Sequence, residues 1–184
     1  MGDPAAAVGM VRRHLKAAGA ATMVVDAGGL SAFEGRRRPP GSRAAKVILT
    51  PHAGEMAKLW GVEREAVLAD PLGLAREAAA ALGAVVVLKG ERTVIAAPGG
   101  EAWFNTAGNL GLGTSGSGDT LSGVIAGLCA RGAEPTQAAA WGVFLHAKAG
   151  ERLARRMGAL GFLARELLAE VPPLLAKLTR RPRG

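Results

Sequence analysis

Residues 108–128 read GNLGLGTSGSGDTLSGVIAGL, a glycine-rich stretch that runs directly into an apolar segment. Glycine-rich loops ahead of helices commonly hold phosphates, because unpaired backbone N–H groups and the helix dipole both favour anions. Gly111-Leu-Gly-Thr-Ser-Gly116 matches G-x-G-x-x-G. The dinucleotide-binding form of that pattern, however, follows a first strand and leads through a crossover helix to another strand. Here the loop comes late and only helical patterns follow it. Gly111 and Gly116 also have Walker A spacing, but Ser117-Gly118 stand where that loop needs Lys followed by Ser or Thr. What remains is Gly116-Ser-Gly-Asp119 at a helix start. Asp119 reads as a plain N-cap, or as a carboxylate beside a nest of backbone amides. The cap accounts for Asp119 but not for the glycines and small hydroxyl residues just before it. In the nest, Asp119 would take a proton from a hydroxyl as its oxygen attacks phosphorus. The amides would stabilise charge on the transferred group.

Outward from this loop, short β-branched runs alternate with helical patterns. TMVVDA (22–27), KVILT (46–50) and AVVVLKG (84–90) read as buried strands, and TVIAAPGGEAWFNT as a hairpin turning at Pro98-Gly99-Gly100. A helix starts at Asp3–Pro4 and runs to about Lys16. PHAGEMAKLWG is a turn entering a short helix, and residues 63–82 are helical with a break at Asp70–Pro71. After the glycine loop, helices are expected at about 119–131, 135–157 and 161–178, and residues 28–43 form a polar, proline-broken loop. This order indicates an α/β fold, a mostly parallel sheet with helices on both faces. Ligands in such sheets bind beyond the carboxyl ends of the strands. Asp26, His52 and Lys89 each follow a strand, so all three should line one rim.

The totals exclude several classes. A chain of 184 residues, 49% hydrophobic and 21% charged, reads as one globular domain, 1–184, with a disordered basic tail at 179–184. The net charge of +8 invites a nucleic-acid reading. Five cations, Arg36, Arg37, Arg38, Arg43 and Lys46, crowd one loop, and Lys177, Arg180, Arg181 and Arg183 lie at the end. Setting these aside leaves a nearly neutral body, and four Phe with no Tyr make a poor stacking platform. No nucleic acid is expected. Cys129 is the single cysteine and sits in an apolar run, which fits a buried thiol in a reducing cytoplasm. The opening MGDPAAAVGMVRR places its arginines after the apolar residues, the reverse of a secretory signal. The longest apolar run, 78–88, is too short to span a bilayer, so no membrane association is expected.

G-[ST]-G-D at a helix start resembles the anion hole and catalytic Asp of the ribokinase-like superfamily. Five segments narrow the resemblance: LTPHAGEMAKL, VVLKGERTVIA, NTAGNLGLGTSGSGDTLSGVIAGL, GVFLHAKAGERLA and GFLARELLAEVP. Together they resemble the ADP/ATP-dependent NAD(P)H-hydrate dehydratases from Asp3 to Pro173. The resemblance implies repair of hydrated NADH or NADPH: ADP or ATP, with Mg²⁺, phosphorylates the C6 hydroxyl of the damaged ring, and phosphate then leaves. It implies Asp119 as general base and substrate contact, and His52 as a contact to the hydrated dinucleotide. It implies Gly118 and Lys89, Gly90, Glu91, Arg92 and Thr93 as nucleotide contacts. The plain alternatives are a solvated strand-end Lys89 and a surface His52. Glu55 resembles an acidic residue that influences Mg²⁺ through water. Asn109 shapes the substrate pocket or simply makes a turn, and His146, inside an apolar helix, reads as core.

The sequence departs from this family in two places. Asp26-Ala-Gly-Gly-Leu30 stands where D-A-D-A-L or D-G-D-A-L is usual, and the βα segment that customarily precedes the first helix is expected to be missing. Its absence is expected to leave a strand edge open, to be covered by a homo-oligomer contact or by a partner supplying that segment. Two other functions compete: a ribokinase-like small-molecule kinase, against which TPHAGE in place of TPN-x-x-E argues, and a non-catalytic nucleotide-binding remnant.

Overall fold

The computed structural model describes residues 4–35 and 46–179. Five strands, β1 (Thr22–Val25), β2 (Lys46–Leu49), β3 (Val85–Leu88), β4 (Thr93–Ala96) and β5 (Ala102–Asn105), form one sheet in the order β1-β2-β3-β4-β5. β1, β2 and β3 pair in parallel, while β4 pairs antiparallel with both β3 and β5. Four of the five strands therefore run one way. Their carboxyl ends share a rim with the turn into β4.

Period-two alternation decides what each face buries. Val47 and Leu49 of β2, Val86 and Leu88 of β3, and Val94 and Ala96 of β4 face one core. Covering it are α1 (Pro4–Ala17), α2 (Ala53–Trp60), α3 (Arg64–Ala69) and α4 (Pro71–Leu82). Ile48, Val85, Val87 and Ile95 face the other core, under α5 (Ser117–Ala130) and α6 (Pro135–Met157). A third cluster joins α6, through Ala149 and Leu153, to Phe162 and to Leu167 of α7 (Ala164–Thr179). No helix among the described residues is long and apolar enough to cross a membrane.

Three expectations need correction. Ala27–Phe33 is a 3-10 helix that buries Leu30, Ala32 and Phe33, so the start of the supposed polar loop belongs to the core. Its apolar residues lie three apart, which suits three residues per turn. Residues 36–43 of that loop lie outside the described residues. α7 extends through Thr179, so the expected tail cannot begin there. Residues 180–184 lie outside the described residues. α5 begins at Ser117 rather than 119, and its N-cap is Gly116, at φ +82°. That left-handed backbone suits glycine, and it displaces Asp119 from the cap into the first turn.

Candidate active site

The glycine stretch splits into two parts with different duties. A Cβ on Gly111 would stand 2.6 Å from Phe162 Cε1, so the lack of a side chain there permits close packing. The G-x-G-x-x-G match is thus partly a packing pattern. Asn109 caps the 3-10 turn Leu110–Gly113 by accepting from the Gly111 N–H at 2.9 Å. Its buried Nδ2 donates to nothing among the described residues. From Gly116 onward the backbone turns into α5. Ser117 N donates to Thr114 O and Thr120 N to Gly116 O. The intervening N–H groups of Gly118 and Asp119 have no acceptor among the described residues. As first-turn amides they lack helical partners and point outward from the helix end.

Asp26, His52 and Lys89 do share the rim. Lys89 Nζ donates to Asp26 Oδ1 at 2.8 Å and lies 3.7 Å from Glu55 Oε2. Its side chain is only 21% exposed, which removes the reading of a solvated strand-end lysine. Asp26 accepts further bonds from Ser122 Oγ at 2.9 Å and from the Ala27 N–H. Partial burial pushes the Asp26 carboxyl upward, but the Lys89 ammonium and the other donors outweigh it and hold the group below its ordinary value. Gly118 closes the cluster: a Cβ there would stand 3.4 Å from Lys89 Nζ and 3.5 Å from Asp26 Oδ2. Gly118 thus brings the first turn of α5 against the rim cation and its carboxylate partner. Asp119 is exposed beside them, and its carboxylate has no partner among the described residues.

His52 is the N-cap of α2, its Nδ1 accepting from Gly54 N at 3.0 Å and Glu55 N at 3.2 Å. Glu55 accepts in return from His52 N at 2.8 Å, completing a capping box. Two backbone donors on Nδ1 put the neutral ring's proton on Nε2, on a side chain 59% exposed. An isolated parallel backbone bridge pairs His52 with Lys89, so the two residues stand side by side on the rim. The stretch 89–93 is the β3–β4 turn, tied by the Thr93 hydroxyl donating to Gly90 O at 3.3 Å. Glu91 and Arg92 are exposed, and the Arg92 guanidinium stacks 4.6 Å from the Phe104 ring centroid. Neither Glu91 nor Arg92 touches the Lys89 cluster.

Two neighbouring residues were not singled out as site residues. Ser122 lies three positions after Asp119 and so on the same helix face, a spacing legible in the sequence. His146 is buried as expected, yet its Nε2 lies 3.0 Å from Ser117 Oγ and 3.1 Å from Ser117 O. Burial lowers the His146 pKa to about 4, aided by Lys89 and opposed by the Ser117 backbone contact. The unfolded chain, in which the imidazole keeps its ordinary value near 6.5, then binds the extra proton between pH 6.5 and 4. The stability contribution is complete above pH 6.5 and is lost as pH falls to about 4, by on the order of 3 kcal/mol at 1.36 kcal/mol per unit. Urea unfolding across this window should show that slope in the wild type and a shallower one in His146→Gln. Parallel slopes would remove His146 as its source.

The NAD(P)H-hydrate dehydratase family model matches residues 3–173. The ADP-dependent (S)-NAD(P)H-hydrate dehydratase of Xanthomonas campestris pv. campestris is 51% identical over 159 residues, which cover 86% of this chain and 53% of that protein. The Bacillus subtilis enzyme of the same description is 38% identical, over 82% of this chain and 52% of its own length. The chain thus spans about half the length of these curated relatives. A B. subtilis ADP/ATP-dependent NAD(P)H-hydrate dehydratase co-crystallised with ATP and Mg²⁺ superposes with a TM-score of 0.81 at 36% identity, over 90% of this chain and 57% of that one. A ribokinase-like superfamily protein from Enterococcus faecalis gives 0.79 at 28% identity, over 96% and 60%.

Proposed function

The chain belongs to the NAD(P)H-hydrate dehydratase family, and on that premise we propose that it repairs hydrated NADH or NADPH in the cytoplasm with ADP or ATP as phosphoryl donor. The observation that carries this reading is the approach of Lys89 to Gly118, in a helix turn whose Gly118 and Asp119 amides and Asp119 carboxylate have no partner among the described residues.

In this reading Asp119 contacts the substrate and takes the proton of the C6 hydroxyl as its oxygen bonds to the terminal phosphorus. The bond from that phosphorus to the departing nucleotide breaks. The Gly118 and Asp119 amides and the Lys89 ammonium stabilise the charge on the transferred group. Phosphate then leaves with the electrons of the C6–O bond, and loss of a proton from the adjacent carbon restores the ring double bond. Gly90, Glu91, Arg92 and Thr93 continue the nucleotide contact from Lys89 along the turn, with Thr93 holding its shape. His52, on an exposed side chain whose Nε2 lies 3.6 Å from Glu55 Oε2, offers its Nε2–H to the dinucleotide.

Among the described residues no group of three or more His, Cys, Asp or Glu can hold a metal ion. In this reading Mg²⁺ would be held mainly by nucleotide phosphates and water, as that ion usually is, with Glu55, whose Oε2 lies 3.7 Å from Lys89 Nζ, nearby to act through water. When bound, the ion neutralises phosphate charge. We assign a homo-oligomer contact, or a partner polypeptide, to the outer edge of β1, which pairs with no strand among the described residues.

The test is incubation of the chain with hydrated NADH, Mg²⁺ and either nucleotide. Recovery of reduced-nicotinamide absorbance is expected. Retained ATP binding with no recovery from either nucleotide would favour the non-catalytic remnant, and accumulation of a stable phosphorylated product would favour the small-molecule kinase.

A further inference from the structure

Ser117 opens α5 immediately before the two free amides, and it is 4% exposed. Its hydroxyl and carbonyl oxygens both face His146 Nε2, at 3.0 and 3.1 Å. A carbonyl oxygen only accepts, so Nε2 carries the proton in that contact. His146 stands on α6, and α6 packs closely on α5: a Cβ on Gly142, one turn earlier, would lie 2.5 Å from Ile125 Cγ1. A second support comes from α7, where Thr120 Oγ1 donates to Ala164 O at 3.4 Å and a Cβ on Gly116 would stand 3.4 Å from Ala164 Cβ. The first turn of α5 carries no side-chain N-cap hydrogen bond, so its amides stay open while these tertiary contacts hold the turn in place.

We propose that His146 is a positioning residue of this site: its Nε2–H, shared between the hydroxyl and carbonyl oxygens of Ser117, fixes the first turn of α5 so that the Gly118 and Asp119 amides stay aimed at one phosphoryl group. This rests on the reading that the turn binds phosphate, and it adds a residue that never touches the nucleotide. A donor held in a packed core sets the aim of the amides more closely than a solvated cap, and small misplacements of such groups are costly.

Two amide replacements separate positioning from packing. Gln reaches the position of Nε2, whereas Asn stops near that of Nδ1. ATP binding to the chain is measured by calorimetry, alongside melting midpoints and the rate of NADH-hydrate dehydration. His146→Gln should bind ATP within about 3-fold of wild type. His146→Asn should bind about 10-fold more weakly and turn over about 10- to 100-fold more slowly, with a melting midpoint close to that of the Gln variant. Wild-type binding and turnover in His146→Asn, or equal impairment of both variants, would overturn the proposal. Should the Asn variant fail to fold, Ser117→Ala removes the hydroxyl half of the contact and should weaken ATP about 3-fold; unchanged affinity would overturn the shared bond. If wild type binds ATP but dehydrates nothing, while Gln and Asn still differ in ATP affinity, the dehydratase reading fails and the positioning role stands.

Discussion

Asp119→Asn is expected to lower dehydration turnover at least ~100-fold, the low end of general acid–base catalysis, while leaving ATP binding in place. The reason is local. Gly116 is the N-cap of α5, so the Asp119 carboxylate is not spent on capping, and it has no partner among the described residues. Asn keeps the size and a carbonyl oxygen but cannot take a proton. The helix loses only a favourable charge near its positive end, roughly 0.3–1 kcal/mol, so the melting midpoint should move little. Single-turnover rates and ATP calorimetry on both proteins check this. Near-normal turnover in Asp119→Asn would remove it as the base.

The second large effect is expected from Lys89→Met, in both stability and nucleotide affinity. Lys89 and Asp26 are 21% and 13% exposed, and their contact is 2.8 Å. Removing the ammonium leaves a carboxylate that burial already disfavours, held only by Ser122 and the Ala27 N–H. Breaking one side of such a pair should cost about 2–3 kcal/mol, nearer to a charged hydrogen bond than to a fully buried ion pair. Asp26→Asn combined with Lys89→Met should recover part of it, because no buried charge is then left unpaired. Acid sensitivity should change too. With its folded pKa depressed, Asp26 contributes stability that is complete above its unfolded value, near 3.9, and lost as pH falls through the lower folded value. Lys89→Met should lose that acid-side contribution. ATP affinity should fall about 10-fold or more, the scale of one charge-assisted hydrogen bond. An unchanged melting midpoint with unchanged ATP affinity would mean the pair is incidental.

Much of this was legible in the residues alone. The β-branched runs at 22–27, 46–50 and 84–90 gave the parallel strands, because buried strands need apolar side chains on both faces; β2 and β3 are largely buried as expected, whereas the edge strand β1 buries only Val25. The positions of Asp26, His52 and Lys89 just past those strands already put them on one rim, since parallel strands share the direction of their carboxyl ends. The Gly116-Ser-Gly-Asp119 motif pointed to the ribokinase-like superfamily, and five segments together to the dehydratase family, which the comparisons bear out.

Tertiary structure decided the rest. Whether Lys89 is solvated or paired depends on a contact to Asp26, sixty-three positions away, which no local pattern encodes. Whether Asp119 caps its helix depends on where α5 begins, and Gly116 sets that by adopting a left-handed backbone open to few other residues. Residues 28–33 read as a polar loop because a 3-10 helix buries few residues per turn. Their burial comes from α1 and α2, packed on the same face of the sheet. His146 illustrates the same limit. Its sequence says only that a histidine lies among apolar residues, while the packing of α6 on α5 decides that its one proton points at Ser117. Chain-local patterns record propensity and period. Partners across the core depend on which faces meet, and that is settled only when the layers close.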